Sequence, residues 1–395
     1  MLKSRDKPTL KRFIQKYSNI YPLLLEYHNT EQDPIWHGEG DVGVHTQMVL
    51  DVAYSIIENK EDYSLTEREC EILMFACVFH DYAKPITTIK EERFGRESIV
   101  SPRHETVAAS LLVNLEKPVE LSNEEWLAVI KLVAFHQMPK KAINGNFSKG
   151  QYIRLLRQCE NTKLLYLLEV ADIKGRKCPD QESEYTFVEL FKGECVEHSL
   201  FGDTRASLDS LGYTHPCERA LFMGLSDFAD NKIHSLETIA SMSYGNSTPP
   251  KLTVMCGLPA SGKSSYIREK HQGTTTISLD GIRKEICGNE SDQSKNAEAV
   301  RVAKERLRIA FRQGIDVVYD ATSLRTDFRT KVTNLAADYG YMSEIVVMLV
   351  DAKTCAQRDR GRERTVGVDK IKEMASLFQY PTLTESDNII FCFGL

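Results

Sequence analysis

Two sets of residues have the types and spacing to handle phosphate. The first is Gly257-Leu258-Pro259-Ala260-Ser261-Gly262-Lys263-Ser264, of the form G-x-x-x-x-G-K-[ST]. An apolar run, Lys251–Cys256, precedes it and predicts a buried strand. The stretch after it, Ser264 to Lys270, lacks Gly and Pro and predicts a helix. Strand, glycine loop and helix start together make a phosphate cradle, because unpaired backbone N–H groups and the helix dipole converge on one anion. In such a cradle Lys263 reaches the β/γ-phosphates and the Ser264 hydroxyl binds Mg²⁺. Gly257, Ser261, Gly262 and Ser265 complete the expected contacts to ATP with Mg²⁺. This pattern predicts a nucleotide site.

The second set is His45, His80, Asp81, His104, His136 and Asp172. Of 10 histidines, these four fall where apolar helical patterns begin or end, and His80-Asp81 is a vicinal pair. Imidazole and carboxylate ligands gathered from several helices suit a divalent transition metal (Mn, Fe, Co, Ni or Zn). Lys84 lies one turn beyond His80 and is expected on the same side, where it can meet a phosphate. His37 reads equally as a support for the ligands or as an exposed loop residue. His198, His215 and His234 read as structural or exposed.

Acids and arginines in the second half add a third layer. Asp280 ends a predicted strand and can accept a proton from an acceptor hydroxyl; it also reads as a helix N-cap. Arg283, three residues on, can pair with an acceptor phosphate. Asp320 ends the strand pattern Val317-Val318-Tyr319, the place for an acid that holds Mg²⁺ or its waters, and Thr322 follows as a polar acceptor contact. Arg358-Asp359-Arg360-Gly361-Arg362-Glu363-Arg364 carries four arginines. Following a strand, such a run suits a lid whose arginine stabilises charge on a transferring phosphoryl group.

These residues need elements to hold them. In the first half, helical spacing of apolar residues marks Thr46–Ile57, the segment after Thr66 (an N-cap with Glu69 as capping box), Thr106–Leu115, Asn123–His136, Lys149–Arg157 and Lys163–Ile173. Weaker helical patterns cover Phe187–Phe191, Ala220–Ala229 and Ile233–Ala240. In the second half, strands at Leu252–Cys256, Thr275–Leu279, Ile315–Tyr319, Glu344–Val350 and Asn388–Cys392 alternate with helices such as Ala297–Gln313, the pattern of a parallel sheet. The expected architecture is multidomain: an all-α domain over 1–243, a polar, Pro-ended linker over 244–250, and an α/β domain over 251–395. With 395 residues, two domains are the natural expectation.

Composition sets the outer bounds. A hydrophobic content of 42% and a charged content of 27% are those of an ordinary globular chain. No apolar run approaches the ~20 residues of a membrane span. The opening residues lead into no signal-peptide core, and the 10 cysteines form no C-x-x-C pair, so reduced thiols and a cytoplasmic setting are expected. The net charge of -6 argues against a nucleic-acid coat protein, but not against an enzyme with a locally basic groove.

The order H…HD…H…H…D resembles the HD phosphohydrolase superfamily, whose fold is all-helical. The text Trp36-His37-Gly38-Glu39-Gly40-Asp41-Val42-Gly43-Val44-His45-Thr46 and the Ala-Asp-x-x-Gly-Arg around Asp172 are similar to the HD domains of bacterial tRNA nucleotidyltransferases. The resemblance covers Ile35 to Arg176. It implies a mono- or dinuclear metal centre, with His45, His80, Asp81 and Asp172 around one ion and, where there is a second, His104 and His136 completing it with Asp81 as bridge. It also implies phosphoester hydrolysis by metal-activated water. From Lys251 onward the chain resembles the phage-type polynucleotide 5'-hydroxyl kinases. The phosphate loop, the D-x-x-R of Asp280 and Arg283, and the arginine run before Val366-Gly367-Val368-Asp369 carry that likeness. It implies Asp280 as base and a catalytic lid arginine, Arg362 or else Arg358.

Together the halves resemble the bacterial HD-domain/polynucleotide kinase fusions of RNA repair. That resemblance implies end healing: removal of a 2',3'-cyclic, 2'- or 3'-phosphate from one RNA or DNA end, and phosphorylation of the 5'-hydroxyl of the other. A separately encoded ligase would be the partner. Two other readings stay open: an HD nucleotidase joined to a kinase of a small metabolite, and an ATP-gated regulatory HD protein that transfers no phosphate.

Overall fold

The computed structural model describes residues 2–93, 95–204, 217–241, 248–289 and 294–394. It divides into two compact units, Met1–Tyr213 and Thr214–Leu395.

The first unit is helical: α1 (Leu10–Tyr17), α2 (Val42–Glu58), α3 (Glu67–Phe79), α4 (Lys84–Thr87), α5 (His104–Leu112), α6 (Asn123–Phe135), α7 (Met138–Asn144), α8 (Lys149–Cys159), α9 (Thr162–Lys174) and α10 (Gln181–Glu197). Its centre is α3, which opens on the expected Thr66/Glu69 capping box and buries every residue from Ile72 to Phe79. A helix apolar on all sides must be covered on all sides, and α2, α6 and α9 pack around it. Near its C-terminal half the rings of Phe13, Tyr17, Tyr21, Phe75, Phe79, Tyr82 and Trp126 meet mostly edge to face, the arrangement the ring quadrupole favours.

Sequence patterning misses one element here. An antiparallel hairpin, β1 (Ile89–Arg93) and β2 (Arg96–Val100), joins α4 to α5. Its first strand is largely polar and exposed and its second mostly half-buried, and no apolar alternation marks them. A buried carboxylate ties the hairpin down instead. Asp33 accepts from both terminal nitrogens of Arg96 (2.9 and 3.1 Å) and from the Ile99 N–H (3.1 Å).

The second unit opens with α11 (Glu218–Ala229) and α12 (Leu236–Ser241). It continues as β3 (Lys251–Cys256), α13 (Lys263–Lys270), β4 (Thr275–Ser278), α14 (Leu279–Cys287), α15 (Asn296–Arg312), β5 (Val317–Asp320), α16 (Thr326–Ala337), β6 (Met342–Leu349), α17 (Ala352–Asp359), α18 (Val368–Ser376) and β7 (Asn388–Phe393). The five strands pair in parallel in the order β4-β5-β3-β6-β7. All five were legible as short apolar runs to within two residues.

The domain boundary differs from the expectation. The helical extension assigned to the first domain holds for α10, which packs on α9 and α7, but α11 belongs to the second unit. It lies against β6, and its Arg219 forks onto Asp316 (3.0 and 2.7 Å) while donating to the Pro249 carbonyl (3.0 Å). An amphipathic helix does not state in its own sequence which core it will cover. Of the expected linker, residues 244–247 lie outside the described residues, as does His215.

Candidate functional sites

Helix ends build the first site. His45 stands in the first turn of α2, behind the N-cap Asp41, which accepts the Val44 N–H (2.7 Å). His80 is the C-cap of α3 and His136 the C-cap of α6. His104 opens α5, and Asp172 lies in the last turns of α9. Two helix C-termini therefore present their partial negative charge to the cluster, which favours a cation there. Gly175 lets α9 press against α2: a Cβ at that position would lie 2.7 Å from the Val49 backbone N. That approach brings Asp172 Oδ1 to 2.9 Å from His45 Nε2.

All six residues predicted as ligands come together, and all are buried. His45 Nε2 lies 3.4 Å from His80 Nε2 and 3.7 Å from Asp81 Oδ2. On the other side of Asp81, its Oδ1 is 3.3 Å from His104 Nε2, which in turn is 3.1 Å from His136 Nε2. Two overlapping ligand triads result, His45/His80/Asp81 and Asp81/His104/His136, and Asp81 is common to both.

The donor set fits divalent ions for a reason visible in the rings. His80, His104 and His136 each direct Nδ1 to a backbone carbonyl, of Cys77, Ser101 and Val133, at 2.8 Å. A ring that donates from Nδ1 keeps its Nε2 lone pair free. Those lone pairs face one another and Asp81, a repulsive arrangement that a shared cation relieves. Asp81 Oδ2 is buried among Lys84 and the rings of His45 and His80, and a carboxylate oxygen keeps a second lone pair for a ligand bond.

Electrostatics agrees with that reading. Burial opposes ionisation of Asp81, but His80 and the Lys84 ammonium beside it hold its carboxyl well below the usual range. Asp172 is likewise opposed by burial and held low by Arg176 and His45. Burial, then the neighbouring His104, pushes His136 down to about 3, so its imidazole is neutral at physiological pH. Burial alone would lower His45, yet the carboxylates of Asp172 and Glu39 beside its two ring nitrogens raise it.

Lys84 reaches the site by a route other than the expected one. The α3 helix stops at Phe79, and a turn carries the chain into α4, so Lys84 is not one turn further along the same helix. Its ammonium lies 2.8 Å from Asp81 Oδ2 and donates to Gln32 Oε1 (2.6 Å).

His37 is no exposed loop residue. Its ring packs 5.0 Å from that of His45, and Nδ1 lies 2.8 Å from Glu39 Oε1. Burial, then the Lys84 charge, pushes it down to about 3. Sequence reasoning assigned no role to three further neighbours: Glu39, Arg176 and Glu169. Arg176 donates to both oxygens of Asp172 (2.9 and 2.8 Å). Glu169, one turn before Asp172, is fully buried with neither oxygen hydrogen-bonded, and burial with the Asp172 charge pushes it up to about 8. A glutamate within a leucine-rich helix gives no sequence signal that it faces the core.

The second site sits at the C-terminal edge of the sheet, where open α/β sheets bind ligands. The phosphate loop leaves β3 and enters α13 with Gly257, Ala260 and Gly262 at φ of 156°, 59° and 100°. A Cβ on Gly257 would lie 2.9 Å from both Met348 Cβ and Ser261 Oγ, so that turn requires glycine. The Gly257 N–H donates to Thr322 O (3.0 Å), which joins the loop to the chain leaving β5. Lys263 donates to the carbonyls of Gly257 and Leu258 (2.9 and 2.7 Å). Burial pulls its ammonium down and the Asp320 carboxyl up, and each group's charge resists the other's shift. Ser264 is exposed at the mouth of the loop and Ser265 half-buried, whereas Ser261 is buried with its hydroxyl unpartnered.

Asp280 is not the N-cap that its position allowed. Ser278 caps α14 through the Gly281 N–H (3.4 Å), which leaves the Asp280 carboxylate to pair with Arg283. Arg283 is also braced by Asn296 Oδ1, 3.3 Å from both Nε and Nη2. In the β4–β5 register Ser278 stands beside Asp320, so both acids emerge from adjacent strands at one edge. Among the arginines, Arg362 is half exposed and lies 3.5 Å from the buried Asp359. The Arg358 guanidinium reaches Gly394: a Cβ there would lie 3.1 Å from Nη1 and 3.5 Å from the phosphate-loop carbonyl of Ser261. Arg358, one of the two candidates for the lid arginine, thus lies near the phosphate-loop residue Ser261, while Arg362 pairs with Asp359.

These two geometries define a protein with a buried histidine–aspartate cluster in one unit and a phosphate loop in the other. Comparison with known families agrees: residues 42–174 match the HD domain and residues 252–381 match an AAA domain. The chain is a fusion of an HD phosphohydrolase domain with a P-loop, kinase-like domain. No curated protein matches it. Among the described residues no helix is long and apolar enough to cross a membrane.

Proposed function

We propose that this protein heals broken polynucleotide ends. The P-loop domain phosphorylates a 5'-hydroxyl with ATP, and the HD domain removes a 2',3'-cyclic, 2'- or 3'-phosphate. RNA is the expected substrate and a separately encoded ligase the expected next enzyme, in the cytoplasm. The observation that carries the reading is the Asp280–Arg283 pair. It places a carboxylate that can take the hydroxyl proton beside a guanidinium that can hold a phosphate of the same acceptor, and the Asp280 side chain is 61% exposed. An opening of that kind admits the end of a long chain.

In the kinase reaction, main-chain N–H groups of the loop and Lys263 hold the β- and γ-phosphates, and Ser264 with Asp320 would hold Mg²⁺. Asp280 accepts the proton as the acceptor oxygen attacks. Arg283 fixes the acceptor through its phosphate, with Thr322 beside it. Arg358 offsets charge on the transferring group, with Arg362 the alternative. In the HD domain His45, His80, Asp81 and Asp172 would hold one ion, and His104 and His136 a second, with Asp81 shared. Ions bound there supply an activated water near neutral pH and polarise the phosphoryl oxygen. Lys84 is placed to neutralise a phosphate oxygen arriving beside Asp81.

An oligonucleotide bearing a 5'-hydroxyl and a 2',3'-cyclic end, incubated with labelled ATP, Mg²⁺ and Mn²⁺ beside free nucleosides, tests the reading. Label on the oligonucleotide and opening of its cyclic end are expected. Label on nucleosides alone would favour a kinase of small metabolites.

A further inference from the structure

We propose that Glu39, which precedes the HD-family match, is the positioning residue for His45 in the metal centre. It fixes which ring nitrogen of His45 faces the ions. This rests on the reading of the histidine–aspartate cluster as a metal centre.

The four histidines differ in what anchors Nδ1. Three of them take the same anchor, the carbonyl three residues earlier in the chain. For His45 that carbonyl belongs to Val42, and it is already the acceptor for the Thr46 hydroxyl (2.7 Å). The nearest carboxylate on the chain, Asp41, is committed to capping α2 through the Val44 N–H. His45 Nδ1 makes no bond to that carbonyl, and the carboxylate that faces it comes from outside its helix.

Glu39 stands in that place. Its Oε1 lies 3.0 Å from His45 Nδ1 and 2.8 Å from His37 Nδ1, and its side chain has no exposed surface. The His45 contact runs off the ring N–H axis and falls short of a full hydrogen bond, while His37 holds the carboxylate from the other side. Oε2 accepts the Lys177 N–H (2.8 Å), which pins the loop before α2 to the chain that leaves Asp172. A carboxylate behind a metal-bound imidazole keeps the proton on the far nitrogen and strengthens the near one as a donor. Among the four, His45 is the one whose Nδ1 has a carboxylate at 3.0 Å in place of a carbonyl; at His104 the carbonyl of Ser101 is nearer than Glu105 Oε2 (2.8 against 3.7 Å).

A merely structural glutamate would hold the loop without touching metal affinity, and titration of the metal-free protein with Mn²⁺ separates the two roles. Glu39→Gln, which keeps the shape and removes the charge, is expected to weaken binding about 10- to 100-fold. His37→Gln, which leaves Glu39 facing His45, is expected to weaken it less. Equal affinity of wild type and E39Q overturns the role of Glu39 alone. Failure of the wild type to take up Mn²⁺ overturns the metal centre and this role with it. A second measurement needs no Glu39 variant. In the Zn²⁺-loaded wild type, imidazole NMR should place the His45 proton on Nδ1, downfield of those of His80, His104 and His136. A His45 proton on Nε2, or one no further downfield than the other three, overturns the proposal.

Discussion

The two sites solve the handling of phosphate in opposite ways. The helical unit builds its site from side chains that are shut away from water, with His45 and His136 fully buried. The α/β unit builds its site from main chain at the open edge of a sheet, with Asp280 and Ser264 exposed. The physical consequences differ as well. Buried imidazoles whose Nδ1 atoms are tied off form a rigid ligand set, and it depends on cations to relieve its own repulsion. A glycine loop is held by backbone conformation and asks only for an anion. The contrast shows why the first site needs ligands from five helices or helix ends while the phosphate-binding part of the second is one contiguous loop.

That contrast is open to attack from either side. The largest effect is expected at the lid. If the open site depends on a charge brought in over the phosphates, Arg358→Ala should lower kinase turnover by roughly 10³- to 10⁵-fold while ATP still binds. A full effect at Arg362 instead would reassign the lid arginine. Next, Asp280→Asn should lower turnover by about 10²- to 10⁴-fold with little change in the KM for ATP. Steady-state rates with ATP varied check both.

Smaller effects test what holds each unit. Arg329 is fully buried in the second unit, where it forks onto Glu385 (2.8 and 3.1 Å) and donates to the carbonyls of Ser323 and Leu324. Arg329→Ala leaves a buried carboxylate unpaired and should cost roughly 3–5 kcal/mol of that unit's stability, read by chemical denaturation. Chelation should act on the other unit. Removing ions present at about 100 times their dissociation constant should cost the HD unit about 2.7 kcal/mol. A calorimetric scan should show its transition fall while the P-loop unit's transition stays in place.

Much of this was readable in the sequence because it is local. Short apolar runs with glycine loops between them gave the parallel strands. Histidines at the ends of apolar helices gave the ligand set, since a polar residue there has few other reasons to be buried. What escaped depends on distant partners. Arg329 and Glu385 are 56 residues apart, and nothing near either marks a buried pair. The hairpin Ile89–Val100 is held by Arg96 on Asp33 rather than by its own pattern. Helix α11 is amphipathic, and only its Arg219–Asp316 contact shows which core it covers. Glu39 lay in plain view within the motif text, yet its part in the site rests on Thr46 having claimed the carbonyl of Val42.

The most direct test of two independent phosphoryl centres is one assay with two variants. An oligonucleotide with a 5'-hydroxyl and a 2',3'-cyclic phosphate is given to the wild type, Asp81→Ala and Lys263→Ala, and both ends are read from the same reaction. Asp81→Ala should leave the cyclic end intact and still phosphorylate the 5' end, and Lys263→Ala should do the reverse. Loss of both activities in either variant, with the protein folded, would contradict the account.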